Sequence, residues 1–370
     1  MNKTGPTALL FCATAAVVSA ANVDAYYQTN LVSDLPGVAA HQDTDLMNPW
    51  GIVASSSSPF WVSDNGTGMS TIYNGSGTKQ GLVVTLPAAS PDPTGIVVNT
   101  GSGFGGTHFI FATESGNIAG WAGGTSAALE VAGAGGSVYK GLAIDTAGGH
   151  LFAANFGLGR IDIFDSSFAP ATVSGNFIDP TLPANYAPFN VQNIGGQLYV
   201  TYAKTTGGRD EVDGAGLGLV DVFDLSGHFV KRVASAGGAL NAPWGLALAP
   251  ASGFGLFSGD LLVGNFGDGT INAYNLSTDT FAGTLDDGNG NPLAIDGLWG
   301  LTFGNGASSG TANFQDPNRL YFTAGLNGEA DGLLGSVQPV PEPAGLPLAC
   351  IGFASVAVVA VRRSLMLKKQ

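Results

Sequence analysis

Four oxygen-bearing side chains, Asp64, Glu114, Asn155 and Asn265, each end a short apolar run: FWVSD, HFIFATE, HLFAAN and DLLVGN. Two carboxylates and two amides are hard donors, and donors of this kind brought together from separate segments suit calcium. Each residue also opens a Gly-rich turn (DNGTG, ESGN, NFGLG, NFGDG), where Asp and Asn are favoured because they bond their own backbone. Trp50, Trp244 and Trp299 form a second recurrent set, each directly before a glycine in NPWGIVAS, NAPWGLALAP and DGLWGLTFG. Such indoles can serve as stacking platforms for sugar rings. Recurrence at one place in a repeat is equally what a packing role requires.

Other chemistry is scarce. The stretch DDGNGN places Asp287, Asn289 and Asn291 at the alternate spacing of a calcium loop, but it lacks the sixth-position glycine, and Leu298 stands where a carboxylate would be needed. It reads as a connecting turn. There is no His-Glu-x-x-His, and the two cysteines, Cys12 and Cys350, lie near the chain ends. His41, His108, His150 and His228 are isolated in sequence. A net charge of −14, with Lys79, Lys140, Arg160, Lys204, Arg209, Lys231, Arg232 and Arg319 scattered between the ends, excludes nucleic acid, which needs clustered cations.

The elements that must position these residues form a repeat. Six openings (NPWGIVAS, DPTGIVVN, YKGLAID, APFNVQNIG, NAPWGLALAP, DGLWGLTFG) are each followed by a second apolar run and then a third. Fourth runs are expected in repeats one to five, as in LVVTLP, AALEVAG and HFVKRVAS. Spacing grows from 44 residues between Gly51 and Gly95 to 55 between Gly245 and Gly300, a spread that loops absorb. With 57 Gly and only 11% charged residues, the composition suits many short strands joined by tight turns. One antiparallel unit cannot bury its own face, so six copies predict an all-β, six-bladed β-propeller over residues 26–338. The sixth repeat lacks a fourth strand, because the chain turns into proline at Pro339. The lone strand 29–35 is available to close that blade and cover its edge. The longest insertion, KTTGGRDEVDGAGLG over 204–218, reads as a mobile surface loop.

The ends read differently. Residues 1–25 have the form of a signal peptide, with Lys3, an apolar run and small residues at Ala20, Ala21 and Ala25. A proline-rich linker, 339–343, precedes the uncharged run 344–361, long enough for a transmembrane helix, and then a basic tail, 362–370.

That C-terminal order resembles the PEP-CTERM sorting signal of Gram-negative bacteria. The resemblance implies that Pro341, Glu342 and Pro343 are read by an exosortase, with Arg362 and Arg363 marking the basic end, and it implies association with exopolysaccharide and biofilm matrix. YYQTNLVSDLPGVAAHQDTDLMNPWGI and IDGLWGLTFGNG resemble a family of exported bacterial propeller proteins. The placing of Asp64, Glu114, Asn155 and Asn265 is similar to the calcium arrangement of gluconolactonase-like and strictosidine synthase-like propellers. The expectation is an exported, envelope-associated binding or scaffold protein, tethered by its C-terminal helix until processed, with enzyme activity left open. The alternative is a calcium-dependent lactonase or esterase working in the channel.

Overall fold

The computed structural model describes residues 25–145, 147, 149–306 and 314–341. The leader 1–24, the run 344–361, and Glu342, Pro343, Arg362 and Arg363 of the sorting motif lie outside the described residues. Among the described residues no helix is long and apolar enough to cross a membrane.

Six antiparallel sheets surround a central axis, each opening with an inner strand: Pro49–Val53, Pro93–Val98, Tyr139–Ile144, Tyr186–Ile194, Pro243–Leu248 and Leu298–Phe303. Each inner strand hairpins into a second, and the tight turns rely on residues that accept positive φ. Gly269, at φ +72, turns the chain between Leu261–Asn265 and Ile271–Asn275, and a side chain there would strike the carbonyl of Ile295. The strands are rich in branched and aromatic residues and bury both faces against neighbouring blades. Trp61 of blade 1 thus stacks on Phe109 of blade 2 with ring centroids 3.9 Å apart.

Blade 6 consists of Leu298–Phe303, Leu320–Gly325 and Asp331–Pro339, and its outer partner is Tyr26–Ser33 from the other end of the domain. The two ends run antiparallel, with Tyr26 opposite Pro339 and Ser33 opposite Leu333. Tyr26 is buried at this seam, where its hydroxyl donates to the Phe254 carbonyl at 2.8 Å and its ring stacks on Phe257. The closing strand begins three residues earlier than the apolar pattern suggests, because Tyr26 belongs to the core.

Two expectations need correction. Blade 3 has three strands among the described residues, Tyr139–Ile144, His150–Asn155 and Arg160–Asp165, and no fourth. Its outer edge is met only locally, by backbone bonds such as Ala171 N to the Ile163 carbonyl. The 204–218 insertion is not simply a surface excursion. Glu211–Val212 pairs with the end of Gln197–Thr205, and the Glu211 side chain is buried.

Candidate functional site

Antiparallel pairing puts the start of each inner strand beside the end of each second strand: Pro49 faces Asp64, Tyr139 faces Asn155 and Pro243 faces Asn265. The tryptophans and the candidate metal ligands therefore share one mouth of the axis. Just inside it the inner strands meet in a neck formed by Gly51, Gly95, Gly141, Asn190, Gly245 and Gly300. A Cβ at Gly51 would lie 2.6 Å from the Thr94 carbonyl of the next blade; at Gly245 it would lie 2.5 Å from that of Trp299, and at Gly300 2.5 Å from that of Trp50. Only glycine permits such backbone approach. Blade 4 departs from the pattern with Asn190, whose amide Nδ2 donates to the Trp244 carbonyl at 2.8 Å and thus joins blades 4 and 5 through a side chain.

The residues immediately before the neck are Trp50, Thr94, Lys140, Phe189, Trp244 and Trp299. Trp50 stacks on Trp299 with centroids 3.5 Å apart, and Trp244 meets both edge-on at 6.0 and 5.8 Å. Phe266 stacks on the other face of Trp299 at 4.1 Å. All three indoles are buried. Trp244 Nε1 donates to the Lys140 carbonyl and Trp299 Nε1 to Asn48 Oδ1. The expectation of sugar-stacking platforms is corrected here: the rings spend their faces on one another across the axis and close this end of the channel.

Lys140 occupies the tryptophan position in blade 3, and its side chain is only 2% exposed. Its Nζ lies 5.0 Å from the centre of the Trp50 ring and 5.6 Å from that of Phe189, a cation–π setting. Two carboxylates neutralise it, Glu114 Oε1 at 3.1 Å and Glu211 Oε2 at 3.2 Å. Arg209 Nη2 joins Glu114 Oε2 at 3.1 Å to Asp92 Oδ2 at 2.9 Å, and Asn65 Nδ2 donates to Glu114 from blade 1. Burial alone would push the Glu114 carboxyl up, but the charges of Lys140 and Arg209 outweigh it and hold the group below the usual range. Glu211 is raised, because burial outweighs its single cationic partner. Glu329 completes the acidic side, raised to about 7 by burial and then by the charge of Glu211. It sits in a left-handed turn with Asn327, Gly328 and Glu329 at φ 55, 65 and 69.

The predicted ligand set does not assemble. Asn155 Oδ1 accepts from the backbone N–H groups of Val138 and Leu158, and its Nδ2 bonds Ser137 and Asp162. Asn265 Oδ1 accepts from Asn241 N, while its Nδ2 reaches the Ala239 carbonyl and Thr270. Asp64 is fully buried in blade 1, where its Oδ2 accepts from Thr71 N at 2.8 Å and burial raises its carboxyl well above the usual range. Glu114 alone joins the charged cluster at the mouth. Among the described residues no group of three or more His, Cys, Asp or Glu side chains could hold a metal. Asp287 likewise spends its carboxylate on Gly-rich turn contacts with Asn289 and Asn291.

Sequence reasoning missed Lys140, Arg209, Glu211 and Glu329. A signal for Lys140 was present: YKGLAID carries lysine where three other repeats carry tryptophan, a break in the repeat at its most crowded position.

The opposite end of the axis is open. A cavity of about 320 Å³ is lined by the later residues of the inner strands, among them Val53, Val98, Ile144, Gln192 and Thr302. Among the described residues Asp145 is the one ionisable member of the lining, and its oxygens accept from the N–H groups of Gly149 and His150.

No family model matches the chain. Among solved structures, the fold is similar to a glucose dehydrogenase (TM-score 0.53, 12% identity, 85% of this chain and 100% of the other). It is similar also to a streptogramin B lyase (TM-score 0.52, 12% identity, 85% and 98%). Identities this low speak for the fold alone. Two proteins of Acanthamoeba polyphaga mimivirus are much nearer in sequence. "Uncharacterized protein R648" is 34% identical over 335 residues, 83% of this chain and 78% of its own length. "Uncharacterized protein L690" is 35% identical over 339 residues, 83% and 84%. This overturns the placement in an exported bacterial propeller family with an exosortase signal. The chain belongs, across most of its length, to the same family of six-bladed propeller proteins as these two mimivirus proteins.

Proposed function

We propose that this propeller is a non-catalytic binding protein and that its open channel end takes a small, largely apolar ligand. The observation that carries this reading is the makeup of the 320 Å³ cavity. Its walls combine Val, Ile, Leu, Ala and Gly with Asn190, Gln192, Asn193 and Thr302, a mixed lining of the kind that holds a small molecule. Among the described residues its single carboxylate, Asp145, accepts from the N–H groups of Gly149 and His150 and lies 3.4 Å from His150 Nδ1. The size favours a compact molecule over a polysaccharide chain. The hydrolase reading gains no support from the geometry, because both amides of the proposed calcium set are spent on local bonds.

The test uses 1-anilinonaphthalene-8-sulfonate as probe with the folded protein. Saturable fluorescence near one site per chain, weakened about ten-fold by a cavity-filling Gln192→Trp substitution, is expected. Fluorescence that does not saturate, or that ignores the substitution while the fold is kept, overturns the reading.

A further inference from the structure

At the closed end, the 204–218 insertion of blade 4 crosses to blades 2 and 3 and places two charged side chains there. Arg209 enters between Asp92 and Glu114, and Glu211 reaches Lys140. The two residues are spaced i, i+2, with Arg209 in the bend 206–210 and Glu211 opening the short strand Glu211–Val212.

The side that receives them is rigid. Glu114 follows the second strand of blade 2, Phe109–Thr113, Lys140 lies in the inner strand of blade 3, and their side chains are 10% and 2% exposed. The strap that supplies Arg209 and Glu211 is not. Its own ladder consists of two pairs, Lys204 with Val212 and Thr205 with Glu211. Added Cβ atoms at Gly207 or Gly208 would meet nothing within 4 Å, and the Arg209 side chain is 48% exposed. Outside its two anchors, Arg209 and Glu211, the strap makes few contacts of its own. Beneath the cluster, Trp50 Nε1 is buried without a hydrogen-bond partner among the described residues, so the floor of the mouth keeps an unused donor.

We infer that this mouth is a binding site for an extended peptide segment bearing a basic and an acidic side chain two residues apart, and that the strap occupies it in cis. Asp92 with Glu114 forms the cation seat, and Lys140 on its aromatic floor forms the anion seat. A free segment of the same pattern competes with the strap and binds once the strap is released. This is separate from the ligand reading of the open channel end, and either can fail alone.

The experiment uses Arg209→Ala/Glu211→Ala in the full chain, which keeps the backbone but removes both anchors, and a second variant in which residues 206–212 are replaced by Gly-Gly. The probe is a fluorescein-labelled peptide, TTGGRDEVDG, with a control in which its arginine and glutamate have changed places. Fluorescence anisotropy is expected to show saturable binding of the natural-order peptide to both variants. The control is expected to bind at least about ten-fold more weakly, since exchanged charges meet like charges in both seats. Wild type, with its site filled, is expected to bind far more weakly than either variant. Equal responses to the two peptides in a variant that keeps the wild-type circular dichroism overturn the inference, as does wild type binding as tightly as the variants.

Discussion

Glu114 and Lys140 form an ion pair of 3.1 Å at the closed end of the axis, joining blade 2 to blade 3 with the lysine almost wholly out of water. Two desolvated charges in this setting hold only because each has further partners. Lys140→Met leaves Glu114 and Glu211 facing one another with less compensation, and is expected to cost about 3–5 kcal/mol in urea unfolding. Adding Glu114→Gln and Glu211→Gln to that variant is expected to recover most of the loss, because the uncompensated charges go with the lysine.

Glu329 carries a pH signature. Its carboxyl is raised to about 7 in the folded protein, by burial first and then by Glu211, with Glu114 and Asp210 adding and Lys140 opposing. Between the ordinary value of 4.5 and about 7 the folded state therefore holds a proton that the unfolded chain has released. Its contribution makes stability fall as pH rises through that window and level off above it. Glu329→Gln is expected to flatten this slope and to be the more stable protein at pH 8, by on the order of 1 kcal/mol after solvent screening is allowed for. Unfolding midpoints of the pair at pH 5 and pH 8 check it: equal differences at both pH values contradict the assignment.

The neck is intolerant of side chains. Gly300→Ala brings a methyl group within 2.5 Å of the Trp50 carbonyl and 2.7 Å of Thr323 Oγ1, both fixed in strands. A loss of about 1–3 kcal/mol is expected, the usual cost of overpacking. Gly105→Ala, where a Cβ would meet nothing, is expected to lose less, limited to the strain of its φ of +61. Thermal melts of the two variants read the difference.

Closure through the N-terminal strand makes the domain cooperative. Removing residues 26–36 exposes the whole edge of Asp331–Pro339 and the seam around Phe254 and Phe257, so a single transition at lower temperature is expected, with no separate early phase. Tyr26→Ala alone is expected to cost about 3–5 kcal/mol, as for other buried aromatic truncations. Calorimetry distinguishes this from local fraying, which would leave the main transition in place.

Burial raises the Asp64 carboxyl well above its usual range, outweighing the opposing bond from Thr71. Asp64→Asn, which keeps shape and acceptor, is expected to change stability by less than about 1 kcal/mol. Calcium is expected to leave the melting temperature of both proteins unchanged. A calcium-dependent rise in wild type that the variant loses would instead restore Asp64 as a ligand.

Much of this architecture is written locally. Strand runs such as FWVSD and DLLVGN, the Gly-bearing turns after them, and the six openings with their glycine repeat are short-range patterns, so six blades and a closing N-terminal strand follow from the sequence itself. The missing fourth strand of blade 3 was legible in part, because residues 166–185 carry Pro170, Pro180 and Pro183 among turn-forming residues, which disfavour a strand. The roles of the polar residues were less legible still. Asn155 and Asn265 have the identities of metal ligands, but hydrogen bonds from backbone N–H groups engage the same oxygens that a cation would need. The three tryptophans share a repeat position, and whether they face solvent or one another depends on how closely six inner strands converge. Arg209 and Glu211 sit in a stretch that reads as solvated loop, and they gain partners only because the blade 4 insertion reaches over blade 3 to the edge of blade 2. Repeat patterns are set by neighbours in the chain, whereas a site on the axis is set by residues dozens to hundreds of positions apart, and only the closed ring decides which of them meet.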